Sequence, residues 1–285
     1  MSRIVYVNGR YLPYGEAGVH VEDRGFQLAD GVYEVFEVRG GRLVDESRHM
    51  ARLGRSLDAL SISRPMSARA LGHVMRETVR RNHVSDGMVY LQVTRGEARR
   101  DFVFPDPAPQ PTIVVIARRM DLTKANARVE KGIAVVSRPD IRWGRCDLKT
   151  TMLLPAALAK QSALEAGAQE VWFVDREGYV TEGGSSNAWI VTTAGTVVTR
   201  ATDNHILGGV TRLTVLDLLA AEGVPVEIRP FKLSEATSAR EAFITAATQI
   251  VMPVVRIDGQ VVGSGEPGPV ARHLRNNFHS KAEIA

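Results

Sequence analysis

The chain has 285 residues, 44% of them hydrophobic and 24% charged, the balance of an ordinary soluble globular fold. Lysine and arginine total 36 against 32 acidic residues, a net charge of only +4, and Cys146 is the single cysteine. Those numbers exclude a disordered chain, a collagen-like repeat and a disulfide-stapled scaffold, and they make a reducing, cytoplasmic setting the expectation.

The length suggests two domains' worth of core at about 150 residues each. The N-terminal MSRIVYVNGRYLP lacks a basic-then-apolar leader pattern, and no apolar run approaches the ~20 residues of a membrane helix, so no membrane partner is expected. In chain order, IVYV and YLPY flank Asn8-Gly9, the strongest short hairpin signal. Val32–Val38 reads as a strand that turns at Gly40-Gly41. Two helices follow, about Glu46–Leu60 with Met50, Leu53, Leu57 and Leu60 on one stripe, and about Ala68–Asn82. Strands return at Met88–Gly96 and Thr112–Ala117, separated by RRDFVFPDPAPQP, which its prolines make a linker or a constrained binding loop. Strands interrupted by two consecutive helices predict a two-layer α/β sandwich over 1–121.

The polar LTKANARVEKG predicts a domain linker at 122–131. A second domain over 132–285 then alternates short strands (IAVVS, VWFVD, AWIVT, VPVEI, AFITAA, VMPVVRI) with helices near Leu154–Ala166 and Val210–Ala221 and a C-terminal helix to about Phe278. Many short strands and few helices predict a β-rich, barrel-like domain, so the fold class is α+β.

The seven histidines have no i,i+4 pair and the cysteine has no partner, so no metal site is expected. The thirty arginines are spread along the chain without a recognition motif, which counts against nucleic-acid binding. Amine chemistry remains, and there are only six lysines. Five of them (Lys124, Lys131, Lys160, Lys232 and Lys281) lie in polar or terminal surroundings that suit a solvated side chain. Lys149, in DIRWGRCDLKTTMLLPAA, has Trp143, Leu148, Met152 and Leu153 around it, with Arg142 and Arg145 nearby. Desolvation and cationic neighbours both favour the free amine, as a Schiff-base lysine needs.

Three further features stand beside it. Glu182 opens TEGGSSN, a loop of small residues that a planar ligand can approach; as a plain hairpin loop its carboxylate would face solvent. Gly208-Gly209 precede a helix whose first amides, at Val210 and Thr211, have no intrahelical partner and suit a phosphate; a plain helix start reads the same way. Arg52 follows Arg48 on the first long helix, where an ordinary surface charge is the competing reading.

DRGFQLADGVYEVFEV, RHMARL, VYLQVTRG, DIRWGRCDLKTTMLLPAALAKQ, VTEGGSSN and ILGGVTR resemble, in order and over the whole chain, the motifs of class IV (fold type IV) pyridoxal-phosphate aminotransferases, most closely the bacterial D-amino-acid aminotransferases. The resemblance implies an N-terminal α/β sandwich, a C-terminal pseudo-barrel and a cofactor, pyridoxal 5'-phosphate, between them. It makes Lys149 the Schiff-base residue and proton shuttle, and pairs Glu182 with the pyridine nitrogen. Arg52, the amides of Val210 and Thr211, and Ala246-Ala247-Thr248 would hold the phosphate, and Leu207 would pack on the ring. Tyr33, Tyr90, Arg100 and Phe102 would meet the substrate, the last two reaching across from a partner subunit, which implies a homodimer. At 102 the D-amino-acid members carry a histidine, and Ala247 lacks a hydroxyl found in some relatives. The expected reaction passes an amino group between a D-amino acid and a 2-oxo acid. A branched-chain L-amino-acid transaminase, an (R)-amine transaminase and an aminodeoxychorismate lyase are the alternatives within the class.

Overall fold

The computed structural model describes residues 3–285 and divides into two units. The first comprises Met1–Asp121, Leu148–Met152 and Glu283–Ala285; the second comprises Leu122–Asp147 and Leu153–Ala282.

In the first unit, β1 (Ile4–Val7) and β2 (Arg10–Pro13) form the expected hairpin, with Val7 opposite Arg10 and positive φ at Asn8 (43°) and Gly9 (90°). A two-residue turn with both central residues in the left-handed region matches the strand twist. The short helix α1 (Arg24–Leu28) follows, capped by Asp23, whose carboxylate accepts from the Gly25 and Phe26 amides at 2.8 and 3.3 Å. Next come β3 (Gly31–Arg39), β4 (Arg42–Leu43), α2 (Glu46–Ala59), α3 (Ala68–Arg81), β5 (Gly87–Thr94) and β6 (Thr112–Arg119). The sheet is antiparallel throughout, in the order β2-β1-β6-β5-β3-β4.

Alternation along β3 sends Val32, Glu34, Phe36 and Val38 to one buried face and leaves Tyr33, Val35 and Glu37 half-buried on the other. The buried face joins Leu53 and Leu57 of α2 and Leu71 and Met75 of α3 in one apolar core. Each such side chain contributes about 1.5–3 kcal/mol of burial, so the helices stay on the sheet because of these stripes.

The second unit contains α4 (Leu122–Lys131), β7 (Ile133–Pro139), α5 (Leu154–Glu165), β8 (Glu170–Val174), β9 (Val180–Gly183), β10 (Asn187–Val191), β11 (Val197–Thr199), α6 (Val210–Ala221), β12 (Val226–Ile228), α7 (Leu233–Thr237), β13 (Glu241–Ala246), β14 (Ile250–Ile257), β15 (Gln260–Val261) and α8 (Pro269–Lys281). Its mixed sheet runs β12-β11-β10-β13-β14-β7-β8-β9, with β15 paired to β14, and is the β-rich pseudo-barrel expected. Trp172, Ile190, Phe231, Ile244 and Val254 lie in its main core, while Val171 and Phe173 join Ala159 and Ala163 of α5 in a second cluster. Strand β8 is therefore covered on both faces, which is why VWF reads as a continuous apolar run.

Two sequence expectations are corrected here. Residues 122–131, expected as a linker, form helix α4, anchored by buried Val129 and ended by Gly132 at φ 69°. The segment is polar because most of this helix faces solvent. The lysine segment, expected in the C-terminal domain, belongs to the first unit. Strand β4 pairs only with the Val38–Arg39 end of β3, so the Gly31–Tyr33 end keeps an open edge. Leu148–Met152 takes that edge through a Val32–Thr150 bridge. Among the described residues, no helix is long and apolar enough to cross a membrane.

Candidate active site

The lysine group lies in the first unit. The Tyr33 amide donates to the Lys149 carbonyl at 2.9 Å, and the Thr151 amide donates to the Gly31 carbonyl at 3.0 Å. The Thr151 hydroxyl donates to the Ala29 carbonyl at 3.0 Å. These bonds fix Lys149 beside the half-buried face of β3, where its Nζ sits 4.2 Å from the centre of the Tyr33 ring. Tyr33 stacks on Tyr90 at 5.6 Å, and the Tyr90 hydroxyl donates to Gln92 at 2.6 Å. Burial, with Tyr33 beside it, pushes the Tyr90 phenol up to about 12, so it stays protonated.

On the opposite, helix-covered face of β3 sits a group of which sequence reasoning found only Arg52, missing Glu34 and His49. Glu34 is fully buried and receives Arg52 in a fork, Nε to Oε1 at 2.8 Å and Nη2 to Oε2 at 2.7 Å. His49 Nδ1 lies 2.7 Å from Glu34 Oε2. Burial alone would raise the Glu34 carboxyl, but the charge and hydrogen bonds of Arg52, together with His49, bring it down to about 2. Burial is also the main reason the His49 imidazole is held below its ordinary value, against the pull of Glu34. Arg52 is thus no surface charge. The signal was a carboxylate in the buried alternation of β3 opposite His49 and Arg52, three apart on α2 beside Leu53.

The loop bearing Arg100 and Phe102 belongs to the same unit. Arg24 Nη1 grips the carbonyls of Asp101 (2.7 Å) and Val103 (3.4 Å), and the Arg95 guanidinium lies 3.6 Å from the centre of the Phe104 ring. Asp30 receives the Nε of both Arg24 and Arg95 at 2.7 Å. The proline-rich stretch is therefore an anchored loop. Its tip is open, with Phe102 81% and Val103 74% exposed, and Arg100 sits 5.8 Å from the Phe102 ring centre. Arg100 and Phe102 thus pair with each other at the open tip of the loop.

The remaining candidates lie in the second unit. Glu182, at the end of β9, is buried. Arg142 donates to its Oε1, while Asn187 Nδ2 (3.1 Å) and the Leu207 amide (3.0 Å) donate to its Oε2. Asn187 also reaches the Leu207 carbonyl at 2.9 Å. Helix α6 starts after Gly209 with no side-chain cap, and Val210 and Thr211 are its first, buried residues. A Cβ on Gly209 would stand 2.1 Å from Asn187 Oδ1, so only glycine lets this helix start meet the Glu182 loop. Ala246, Ala247 and Thr248 form the turn between β13 and β14, closed by the Gln249 amide on the Ala246 carbonyl. Beneath the small-residue loop, buried Glu170 accepts from Lys160 Nζ (3.1 Å), Ser185 Oγ (3.1 Å) and Ser186 Oγ (3.3 Å). Lys160 is therefore a loop anchor.

One expectation about charge fails. Arg142 and Arg145 were expected to act on Lys149, yet Arg142 pairs with Asp140 and Glu182, and exposed Arg145 pairs with Asp147 at 2.9 Å. Each guanidinium has carboxylate partners of its own. Burial pushes the Cys146 thiol up to about 11, as for an inert thiol.

The family model for amino-transferase class IV matches residues 31–257. The chain belongs to the class IV aminotransferases. These are pyridoxal-phosphate enzymes. This aminotransferase is 35% identical over 279 residues to the D-alanine aminotransferase of Staphylococcus haemolyticus, covering 98% of both chains. It is 38% identical over 272 residues to that of Bacillus licheniformis, covering 95% of this chain and 94% of the other. Among solved structures it resembles the T.th. branched-chain amino acid aminotransferase with pyridoxamine 5'-phosphate, with a TM-score of 0.88, 26% identity, and 98% and 94% of the two chains covered.

The residues present fit the cofactor. In the second unit a buried acid with three nitrogen donors suits a ring nitrogen and an uncapped helix start suits a phosphate; in the first unit the Nζ of Lys149, beside Tyr33, is the primary amine a Schiff base needs.

Proposed function

We propose that this aminotransferase acts on D-amino acids, passing the amino group of D-alanine to 2-oxoglutarate to give pyruvate and D-glutamate. The observation that carries the reading is the likeness, over nearly the whole chain, to D-alanine aminotransferases. When bound, pyridoxal phosphate supplies an aldehyde for the amine and an electron sink for the pair left at the substrate Cα.

The protein's own residues do the rest. Lys149 holds the cofactor through its amine and moves the proton at Cα. Glu182 holds the ring nitrogen, and Leu207 covers the ring. Arg52, the Val210 and Thr211 amides and the Ala246-Ala247-Thr248 turn hold the phosphate. Glu34 and His49 orient Arg52, since the fork leaves its guanidinium little freedom to turn. Tyr33 and Tyr90 line the substrate side of β3, and Arg100 binds the α-carboxylate.

In this reading Arg100 and Phe102 serve the active site of a second copy. The support is the loop itself, which Arg24 and Arg95 anchor while its apolar tip stays open; large exposed apolar patches mark interaction surfaces. Sedimentation of the holoenzyme should give twice the mass of one chain.

The deciding experiment supplies the purified holoenzyme with 2-oxoglutarate and either D-alanine, L-leucine or (R)-phenylethylamine. D-glutamate formed from D-alanine is the expected product; turnover of L-leucine alone overturns the proposal in favour of a branched-chain enzyme.

Phe102 offers a sharper check. With phenylalanine there, one hydrogen bond to the carboxylate is missing, and a bond to a charged group contributes about 1.5–3 kcal/mol. Phe102→His should lower the KM for D-alanine about tenfold or more with a smaller change in kcat. An unchanged KM in steady-state assays would show that position 102 does not meet the carboxylate.

A further inference from the structure

The acid that serves the ring nitrogen has a second layer of charge behind it. Asp140 and Arg142 follow β7. The Arg142 guanidinium places Nε 3.0 Å from Asp140 Oδ1 and Nη2 2.7 Å from Asp140 Oδ2. Nη2 also donates to the His205 carbonyl at 3.0 Å, and Nη1 donates to Glu182 Oε1. Thr181 Oγ1 donates to Asp140 Oδ2 at 2.7 Å, and the guanidinium lies 4.7 Å from the centre of the Phe173 ring. The arginine is therefore locked on three sides, with a single nitrogen aimed at Glu182.

The charges matter as much as the geometry. Arg142 contributes one positive charge, while Asp140 and Glu182 contribute two negative ones. Had Glu182 faced Arg142 alone, the pair would be neutral and offer a cationic ring nothing beyond a dipole. Asp140 restores a net charge of −1 within a site where burial magnifies each charge. A buried carboxylate beside a guanidinium also stays ionised.

We infer that Arg142, held in place by Asp140, is a positioning residue that keeps Glu182 anionic and aimed, so that the site selects the N-protonated pyridine ring of the cofactor. This rests on the reading of Glu182 as the ring-nitrogen partner. The Arg142–Asp140 pairing also holds the Asp140 carboxyl below the usual carboxylate range, although burial works the other way.

The test compares two ligands, pyridoxal 5'-phosphate and its carbocyclic analogue with CH in place of the ring nitrogen, by equilibrium dialysis against the apoenzyme. Arg142→Met leaves Asp140 and Glu182 facing each other with no cation between them, which favours protonation of one carboxyl and frees Glu182 to turn, so it should raise the Kd of pyridoxal phosphate about tenfold or more and leave the analogue's Kd nearly unchanged. Arg142→Lys keeps the charge and should recover part of the affinity; Arg145→Met, at the exposed Arg145–Asp147 pair, should change neither ligand. Equal weakening of both ligands would show a merely structural arginine, and unchanged binding of pyridoxal phosphate would show no role; either result overturns the inference. Failure of the wild-type protein to bind pyridoxal phosphate would instead overturn the reading of Glu182 on which it rests.

Discussion

Lys149→Ala should stop transamination, lowering kcat by at least about 10⁴-fold, the upper range for one positioned proton-transfer group, because the same amine is also the covalent anchor. The folded state should survive. Its bonds to β3 at this point, Tyr33 amide to Lys149 carbonyl and Thr151 amide to Gly31 carbonyl, are made by the backbone and persist in alanine. What disappears is the contact of the Lys149 Nζ with the Tyr33 ring, and a thermal melt should move by no more than about 1 kcal/mol equivalent. Borohydride reduction of the wild-type holoenzyme should label the peptide containing Lys149 and leave the variant unlabelled. Undiminished turnover, or a label on another lysine, would remove Lys149 from its assigned role.

The largest effect on stability should come from Glu34→Gln. It leaves the Arg52 guanidinium buried without its carboxylate, and breaking a buried pair from one side typically costs about 3–5 kcal/mol. For a protein of this size that lowers Tm by roughly 6–20 °C. Glu77 provides the contrast. Its carboxyl is also brought down to about 2, first by hydrogen bonds from Arg80 and Arg81, but those partners lie on the exposed face of α3. Glu77→Gln should therefore hardly shift the melt. Equal acidities have unequal consequences because water screens one cluster and is absent from the other.

The sign of the pH dependence follows. Glu34 is lowered from an ordinary 4.5 to about 2, so its contribution is fully present above pH 4.5 and is lost as pH falls toward 2. Acid melts should show a steeper loss for the wild type than for Glu34→Gln within that window. Parallel curves would mean that the Glu34–Arg52–His49 group has no such linkage.

Much of the architecture could be read without coordinates because it depends on local periodicity. The Asn8-Gly9 hairpin, the α2 stripe and the alternation of β3 each follow from a repeat of two or 3.6 residues that only one face can bury. Helix α4 escapes such a reading because its buried contact is a single valine, Val129, too little to make a stripe. The candidate site divides along the same line. Lys149, Glu182 and the Val210-Thr211 helix start stand out by residue type, neighbours and order along the chain. Glu34, His49 and Asp140 do not, since an acid or an imidazole acquires its role from whatever packs against it.

The sequence by itself determined the family and most of the elements and singled out the candidate side chains, all of which rest on residues near one another in the chain. Only tertiary structure decided that Leu148–Met152 completes the edge of β3, that Arg52 is answered by Glu34, and that Arg142 belongs with Asp140 and Glu182. The reason is electrostatic: a charge's effect falls off with distance and grows with burial, and neither quantity is written in the order of the residues.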